Sequence, residues 1–162
     1  RSSAHFPNAT SSGPHVETAN ATFRFSTEKT SQTIIDGWLH TGDIGYIDDR
    51  GFVFIKDRIR DVVVTGGFNV YPNDVEAVLG QHPDVVECVV FGLADDKWGE
   101  AVHAAVELSK QASTDEAGLI AFVKSRLDSV KAPKRIYITD ALPRSPVGKV
   151  LRREAKVMFA NP

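Results

Sequence analysis

A carboxylate set between glycines is the first feature of the sequence that suggests chemistry. Asp43 lies in the run Gly-Trp-Leu-His-Thr-Gly-Asp-Ile-Gly at residues 37–45. The glycines let the chain turn tightly and present the carboxylate to solvent. A carboxylate accepts two hydrogen bonds from neighbouring hydroxyl groups, so this one suits a ribose diol, although the same pattern is also common in plain turns.

Charged residues followed by a pair of glycines form the second feature. Residues 56–61 read Lys-Asp-Arg-Ile-Arg-Asp and lead, after three valines and a threonine, to Gly66 and Gly67. The charged run has too few apolar residues for a buried strand, so we expect a solvated connector. The two glycines allow a close backbone approach that suits the passage of a thin substrate arm, and a hairpin turn is the alternative interpretation.

The third feature is Lys149, which follows Gly148 in the proline-containing segment of residues 142–152. The prolines and the glycine limit the shapes of this segment, and we expect a mobile loop with the lysine at its tip, directly before a helix. A lysine ammonium is a compact point charge that stabilises an oxyanion or a phosphate whose charge grows during a reaction. The segment is not a Walker-type loop, because the upstream glycine is missing and Val150 stands where Ser or Thr would bind magnesium.

Hydrophobic patterning after residue 36 predicts the strands and helices that position these groups. A turn at residues 48–51 precedes a strand, two short strands flank the glycine pair, and Pro72 opens a short helix. A capping-box pattern at Ser113 opens a second helix. The remaining elements are strands at 85–91, 101–108 and 136–138, a polar loop at 94–100 and a helix at 150–159. The order β-β-α-β-β-α-β-α predicts a small α+β domain.

The composition of the 162 residues, 42% hydrophobic and 25% charged, is that of an ordinary soluble globular chain. Ser, Thr, Asn and Pro make up 16 of the first 36 residues, which predicts a loop-like or disordered start. The single cysteine, Cys88, excludes an internal disulfide framework, and no spacing of Cys and His predicts a metal site. No apolar run approaches the roughly 20 residues of a membrane helix, so we expect no transmembrane segment and a cytoplasmic location.

Charge is distributed unevenly along the chain. Residues 41–107 carry 5 basic and 13 acidic side chains, a net charge of −8, whereas residues 120–162 carry 10 basic and 3 acidic side chains, a net charge of +7. The basic part indicates either an anionic partner or a solvated helix face. A small α+β nucleic-acid-binding domain is an alternative function, although few aromatic side chains are interleaved there for stacking.

Together, the order and spacing of the three motifs resemble the adenylate-forming enzymes, a family that includes acyl-CoA synthetases, peptide-synthetase adenylation domains and luciferases. The resemblance implies that residues 1–59 are an irregular segment and the end of the large AMP-binding domain. Residues 60–162 would be a mobile C-terminal lid domain that carries the catalytic lysine. The implied fold is α+β, with a short β-hairpin and a small mixed sheet flanked by helices.

The resemblance implies an AMP-forming acid–thiol ligase that works in two steps. A carboxylic acid attacks ATP, with Mg²⁺, to give an acyl-adenylate and pyrophosphate, and the thiol of CoA then takes the acyl group. Residues 68–76 look like those of acyl-CoA synthetases that act on fatty or related acids. By motif, the catalytic residue is Lys149, the nucleotide-binding residues are Asp43 and Arg58, the hinge is Arg60 with Asp61, and Gly66 and Gly67 line the approach of the CoA thiol. Family members often have Asp or Lys at the position of the hinge arginine, so Arg60 is a mild departure from the family pattern.

The resemblance also implies a partner, the large N-terminal domain of the same enzyme. The phosphate loop, the adenine pocket and the acyl pocket of the family all precede the part that this sequence matches. We therefore expect the chain alone to be inactive and to hold neither ATP, Mg²⁺ nor CoA, and we expect no nucleic acid as a ligand. The other alternative is a non-catalytic binding module derived from such a ligase, against which the intact Asp43 and Lys149 argue.

Overall fold

The computed structural model describes residues 27–160, so most of the predicted loop-like start lies outside the described residues. The chain divides into two compact units at the bond between Ile55 and Lys56. The expected functional boundary between residues 59 and 60 stays a prediction.

The elements, in chain order, are α1 (Thr27–Thr33), β1 (Ile34–Ile35), β2 (Trp38–Leu39), β3 (Asp43–Ile47), β4 (Val53–Arg58), a 3₁₀ turn (Ile59–Asp61), β5 (Val63–Thr65), β6 (Phe68–Val70), α2 (Pro72–Leu79), β7 (Val85–Asp95), β8 (Gly99–Leu108), α3 (Glu116–Lys124), β9 (Arg135–Thr139) and α4 (Arg152–Ala160).

The described part of the first unit contains a helix and two short hairpins. Residues 27–35, which the composition predicted to be loop-like, instead form α1 and β1. β1 pairs antiparallel with β2, which places Ile34 opposite Leu39. Asp36 and Gly37 form the connecting turn with φ values of 51° and 80°. A two-residue hairpin turn needs positive φ at both positions, and Asp-Gly is a favoured pair for it.

The second hairpin joins β3 to β4 through the predicted turn at residues 48–51. The Asp48 carboxylate closes this turn by accepting the backbone N–H groups of Arg50 and Phe52 at 3.0 and 2.9 Å. Gly51 has a φ of 85°, a conformation that disfavours any residue with a Cβ atom. The predicted turn and the strand after it are therefore confirmed.

The second unit is built on a five-stranded sheet with β8 at its centre. β7 lies antiparallel to β8 along almost its whole length. On the other side of β8, β9 pairs in parallel, and β5 joins the sheet with its hairpin partner β6. The predicted polar loop at 94–100 is wrong in its length, because the Asp95 carboxylate accepts the backbone N–H groups of Lys97 and Trp98, both at 2.9 Å. These bonds close a three-residue turn and let the strands extend around it.

Helices cover both faces of this sheet. Alternate residues of β7 and β8 point to opposite sides, so α2 and α3 pack on one face and α4 packs on the other. The core under α2 and α3 includes Val63, Val75, Leu79, Val90, Val102, Val106, Leu119 and Val123. The core under α4 includes Val89, Phe91, Ala105, Leu142 and Ala155. The predicted α+β fold, with a small mixed sheet flanked by helices, is confirmed.

The start of α3 differs from the capping box predicted at Ser113. Asp115 is the N-cap, and its carboxylate accepts the backbone N–H of Gly118 at 2.8 Å. The backbone N–H of Ser113 instead donates to the carboxylate of Asp84, 29 residues earlier, at 3.0 Å. The cap is therefore local but lies two residues later than predicted, and Ser113 is held by a distant partner. Within residues 27–160, no helix combines the length and the hydrophobicity needed to cross a membrane.

Candidate active site

Lys149 lies in a closed loop between β9 and α4, at residues 140–151, which we call the lysine loop. The Ser145 N–H donates to the Lys149 carbonyl and the Gly148 N–H donates to the Ser145 carbonyl, both at 2.8 Å. The Ser145 hydroxyl accepts the Lys149 N–H at 3.1 Å. The tip of the loop is therefore the turn at residues 145–148, and the lysine follows the tip instead of forming it as predicted. These bonds define the shape of the loop.

The side chain of Lys149 is exposed, and its ammonium has no hydrogen-bond or ion-pair partner among residues 30–160. The backbone before it, by contrast, is bound, because the Gly148 carbonyl accepts a hydrogen bond from Arg144 at 3.2 Å. A cation with a fixed backbone and an open head suits an anionic ligand, since no internal ion pair has to break when the ligand binds.

The charged run at residues 56–61 contains one buried residue, contrary to the prediction of a solvated connector. Asp57 is only 3% exposed. Its carboxylate accepts the backbone N–H groups of Arg58 at 2.8 Å and of Asn73 at 3.0 Å. The prediction of a solvated connector is therefore wrong at this residue, because a carboxylate that is given enough donors is stable in a buried position.

Arg152, the first residue of α4, neutralises this buried charge. One terminal nitrogen lies 3.4 Å from the Asp57 carboxylate and 3.1 Å from that of Asp61. The other lies 2.9 Å from the Glu76 carboxylate and 3.0 Å from the side-chain oxygen of Asn73. Burial disfavours the charged guanidinium, but the carboxylates outweigh it, Glu76 most of all, and raise the pKa of Arg152. We call these five residues the arginine cluster.

Sequence patterns did not predict the arginine cluster. The partners of Arg152 lie 76 to 95 residues before it, so no local spacing connects them. One local signal was available. A positive charge is unfavourable at a helix N-terminus, so an arginine at the first position of a helix indicates a specific carboxylate partner.

The predicted nucleotide-binding and hinge residues belong to both units. Asp43 lies in the first unit, half-buried at the start of β3. Arg58 is exposed at the end of β4, and the side chain of Arg60 is 80% exposed in the 3₁₀ turn that follows. Asp61, in contrast, is held by Arg152. The structure thus connects one of the two predicted hinge residues to the helix that begins just after the lysine loop.

The predicted glycine pair forms the turn between β5 and β6. Gly66 and Gly67 have φ values of 56° and 82°, as a two-residue hairpin turn requires, so the hairpin interpretation is confirmed. A Cβ atom on Gly66 would lie 2.8 Å from the ring of Trp98, whereas one on Gly67 would meet nothing within 4 Å. The ammonium groups of Lys97 and Lys134 lie 4.9 and 5.5 Å from the centre of the same ring. Gly66 is therefore required both by the turn and by the adjacent indole.

Part of the positive charge of residues 120–162 is neutralised within the fold. Lys131, Arg144 and Lys156 form ion pairs with carboxylates, as Arg152 does. The net charge of the basic part therefore overstates the positive charge that is open to an anionic partner. Among the residues that the structure describes, no group of His, Cys, Asp or Glu side chains is arranged to hold a metal ion.

Comparison with known proteins decides the family. A family model described as the AMP-binding enzyme C-terminal domain matches residues 74–149, which span most of α2, the strands β7 to β9 and the lysine loop up to the lysine itself. The chain belongs to the adenylate-forming enzymes. The resemblance drawn from the sequence motifs is confirmed.

Relatives of this adenylate-forming chain include two curated ligases. A 2-succinylbenzoate–CoA ligase from Geobacillus kaustophilus is 51% identical over 129 residues, which are 80% of this chain and 26% of that protein. The fatty acid–[acyl-carrier-protein] ligase ScoC from Streptomyces coeruleorubidus is 47% identical over 132 residues, which are 82% of this chain and 25% of that protein. The crystal structure of ATP-bound MatB from Rhodopseudomonas palustris matches with a TM-score of 0.78 and 39% identity, over 83% of this chain and 27% of that one. The chain thus spans about a quarter of the length of these relatives.

Proposed function

We propose that the chain is the C-terminal part of an AMP-forming ligase that activates a carboxylic acid with ATP and transfers the acyl group to CoA. In the first step the carboxylate attacks the α-phosphate of ATP and pyrophosphate leaves. In the second step the thiol of CoA, losing its proton, attacks the acyl carbonyl and AMP leaves. The ATP bound to MatB and the names of the two ligases support activation of an acid with ATP, and the name of the 2-succinylbenzoate–CoA ligase supports CoA as the acceptor, whereas ScoC is named for an acyl carrier protein. Mg²⁺ enters with ATP, as part of the substrate.

The observation that carries the proposal is the exposed ammonium of Lys149, which has no partner in the described chain and lies on a loop with a fixed backbone. During adenylation, negative charge builds up on the oxygens between the acid and the α-phosphate. A positive charge aimed at those oxygens stabilises the transition state more than the ground state. Removing one preorganised group of this kind costs about 10²–10³ in rate. We assign this role to Lys149.

The remaining predicted residues are proposed to bind the nucleotide in the first step and to allow the domain movement that leads to the second step. Asp43 is proposed to accept two hydrogen bonds from the ribose hydroxyls, and Arg58 is proposed to assist in binding the nucleotide. Arg60 and Asp61 are proposed as the pivot about which the lid turns between the two steps. An exposed arginine side chain suits such a pivot, because it stays hydrated in either position.

The thiol arm of CoA is proposed to approach the turn formed by Gly66 and Gly67. Both residues present backbone without a side chain, and the indole of Trp98 lies directly beside the first of them. The acid is proposed to be a fatty or related acid, and its pocket is proposed to lie in the large N-terminal domain. The 162-residue chain alone is therefore proposed to form no acyl-adenylate.

The experiment measures the two steps separately in the full-length enzyme. Lys149→Ala is expected to lower ATP–pyrophosphate exchange by about 10²–10³-fold, whereas thioester formation from supplied acyl-adenylate stays near the wild-type rate. Lys124→Ala, which removes an exposed lysine of α3, is the matched control and should leave both rates unchanged. Equal loss of both steps in Lys149→Ala would contradict the proposed role. Pyrophosphate exchange by the 162-residue chain alone would contradict its proposed inactivity.

A further inference from the structure

We propose that Arg144 is a positioning residue for Lys149, because its guanidinium holds the carbonyl that directly precedes the lysine and so helps to fix the direction in which the lysine side chain leaves the loop. This role rests on the proposed adenylation function of Lys149. Arg144 touches no reacting group in this assignment and acts through the loop backbone.

The contact of Arg144 with the loop is direct. Its Nη1 donates to the Gly148 carbonyl oxygen at 3.2 Å. That carbonyl belongs to the peptide group that ends in the Lys149 N–H, and the Ser145 hydroxyl accepts this N–H at 3.1 Å. The Lys149 carbonyl accepts the Ser145 N–H at 2.8 Å. Because a peptide group is planar, fixing the groups on both sides of Lys149 also fixes the direction of its Cα–Cβ bond.

On its other side, Arg144 is held by two carboxylates of the sheet. Glu87 on β7 and Glu107 on β8 lie directly opposite each other in the antiparallel ladder, where like charges repel. Arg144 lies 3.5 Å from Glu87 and 3.0 Å from Glu107, and its charge offsets that repulsion. Glu107 also accepts the backbone N–H of Leu142 at 2.7 Å. The two acids therefore create a cation site at the point where the loop leaves the sheet.

The chemistry of the side chain explains why an arginine suits this position. A guanidinium is a planar fork that donates in fixed directions to two acceptors, whereas an ammonium is a point charge. Arg144 uses this fork to connect a carboxylate of the rigid sheet to a carbonyl of the loop. Precision matters for catalysis, since a misplacement of about 1 Å costs on the order of 10²-fold in rate.

The inference is tested with variants of the full-length enzyme, with pyrophosphate exchange as the measure of adenylation. Arg144→Ala is expected to lower the kcat of adenylation by about 10–100-fold with little change in the KM for ATP. Thioester formation from supplied acyl-adenylate should stay near the wild-type rate. Arg144→Lys, which keeps the charge beside the two glutamates, should show most of the same loss. Arg153→Ala removes an exposed arginine of α4 and serves as the matched control without effect.

The double variant Arg144→Ala/Lys149→Ala distinguishes positioning from general support of the fold. Without the lysine there is nothing to position, so the double variant should adenylate as slowly as Lys149→Ala alone. A further loss in the double variant, an equal loss of both steps in Arg144→Ala, or unchanged adenylation in Arg144→Ala would each overturn the inference and leave the role of Lys149 intact. Adenylation retained in Lys149→Ala would instead overturn the proposed function, and the positioning role with it.

A second variant keeps the test decisive if Arg144→Ala does not fold. Glu107→Gln retains an acceptor for the Leu142 N–H and removes the charge that holds Arg144. We expect a smaller loss in the same step, adenylation, with thioester formation unchanged. Loss of thioester formation to the same extent would overturn the inference.

Discussion

Replacing Arg152 by methionine removes the guanidinium that three carboxylates share. The side chain of Asp57 is 1% exposed, whereas those of Glu76 and Asp61 are 22% and 26% exposed. Breaking a buried ion pair from one side costs about 3–5 kcal/mol, because the remaining charge stays buried without a partner. Water reaches two of the three carboxylates, so we expect a loss of about 3 kcal/mol, the lower end of that range. This is a large part of the roughly 5–15 kcal/mol by which a domain is stable.

Urea unfolding followed by circular dichroism measures the effect on the chain. With a slope of roughly 1–3 kcal/mol per molar urea, the midpoint of Arg152→Met should fall by about 1–3 M at an unchanged slope. Arg153→Met, at the next and exposed position of α4, should change the free energy of unfolding by less than about 0.5 kcal/mol. Adding Asp57→Asn to Arg152→Met removes the most buried charge and should restore part of the loss. A midpoint for Arg152→Met equal to that of Arg153→Met would refute the reasoning.

Three further predictions concern single side chains. Burial, followed by the nearby glutamates, raises the pKa of Cys88 to about 12, which leaves on the order of 1000-fold less thiolate at pH 8 than a thiol of pKa 9.0 has. The folded chain should therefore react with a disulfide reagent much more slowly than the chain in urea, and equal rates would contradict this. Gly66→Ala brings a Cβ atom to 2.8 Å from the ring of Trp98 at a φ of 56°, and it should lower the free energy of unfolding by about 1–3 kcal/mol, read from the urea midpoint. The hydrogen bond from the Leu142 N–H lowers the pKa of Glu107 from its ordinary 4.5, against the opposing effect of burial. A carboxyl group whose pKa is lower in the folded state stabilises that state above pH 4.5, and this stabilisation is lost as the pH falls through the pKa of the folded state. The difference in the free energy of unfolding between wild type and Glu107→Gln should therefore be constant near neutral pH and shrink below pH 4.5. If this difference instead increased as the pH fell, the pKa of Glu107 would be raised on folding and the prediction would be wrong.

Local chemistry made much of the framework predictable. The turn at residues 48–51, the hairpin at Gly66 and Gly67 and the helix opened by Pro72 are each encoded within a few neighbouring residues, which single-sequence patterns can identify. The placement of Lys149 shortly before a helix was predicted for the same reason, since its motif is short and continuous. Its closed loop was not, because that shape depends on hydrogen bonds through the Ser145 hydroxyl and the Arg144 guanidinium.

Electrostatic pairing over long separations explains what the sequence did not predict. Asp57 lies in a charged run and was expected in solvent, but its partners Asn73 and Arg152 come 16 and 95 residues later. Arg144 likewise meets Glu107 across 37 residues. Hydrophobic periodicity identifies the faces of strands and helices, but it contains no information about which charges meet once the sheet has formed.

The charges of the arginine cluster enter the chain at very different times during synthesis. Asp57 and Asp61 precede Arg152 by 95 and 91 residues. A ribosome that adds about 5–20 residues per second needs roughly 5–20 s to cover that separation. During this interval the two carboxylates stay in water, because burying them without a cation is unfavourable. We therefore expect Asp57 to become buried only when Arg152 and α4 dock on the sheet, late in the synthesis of the protein.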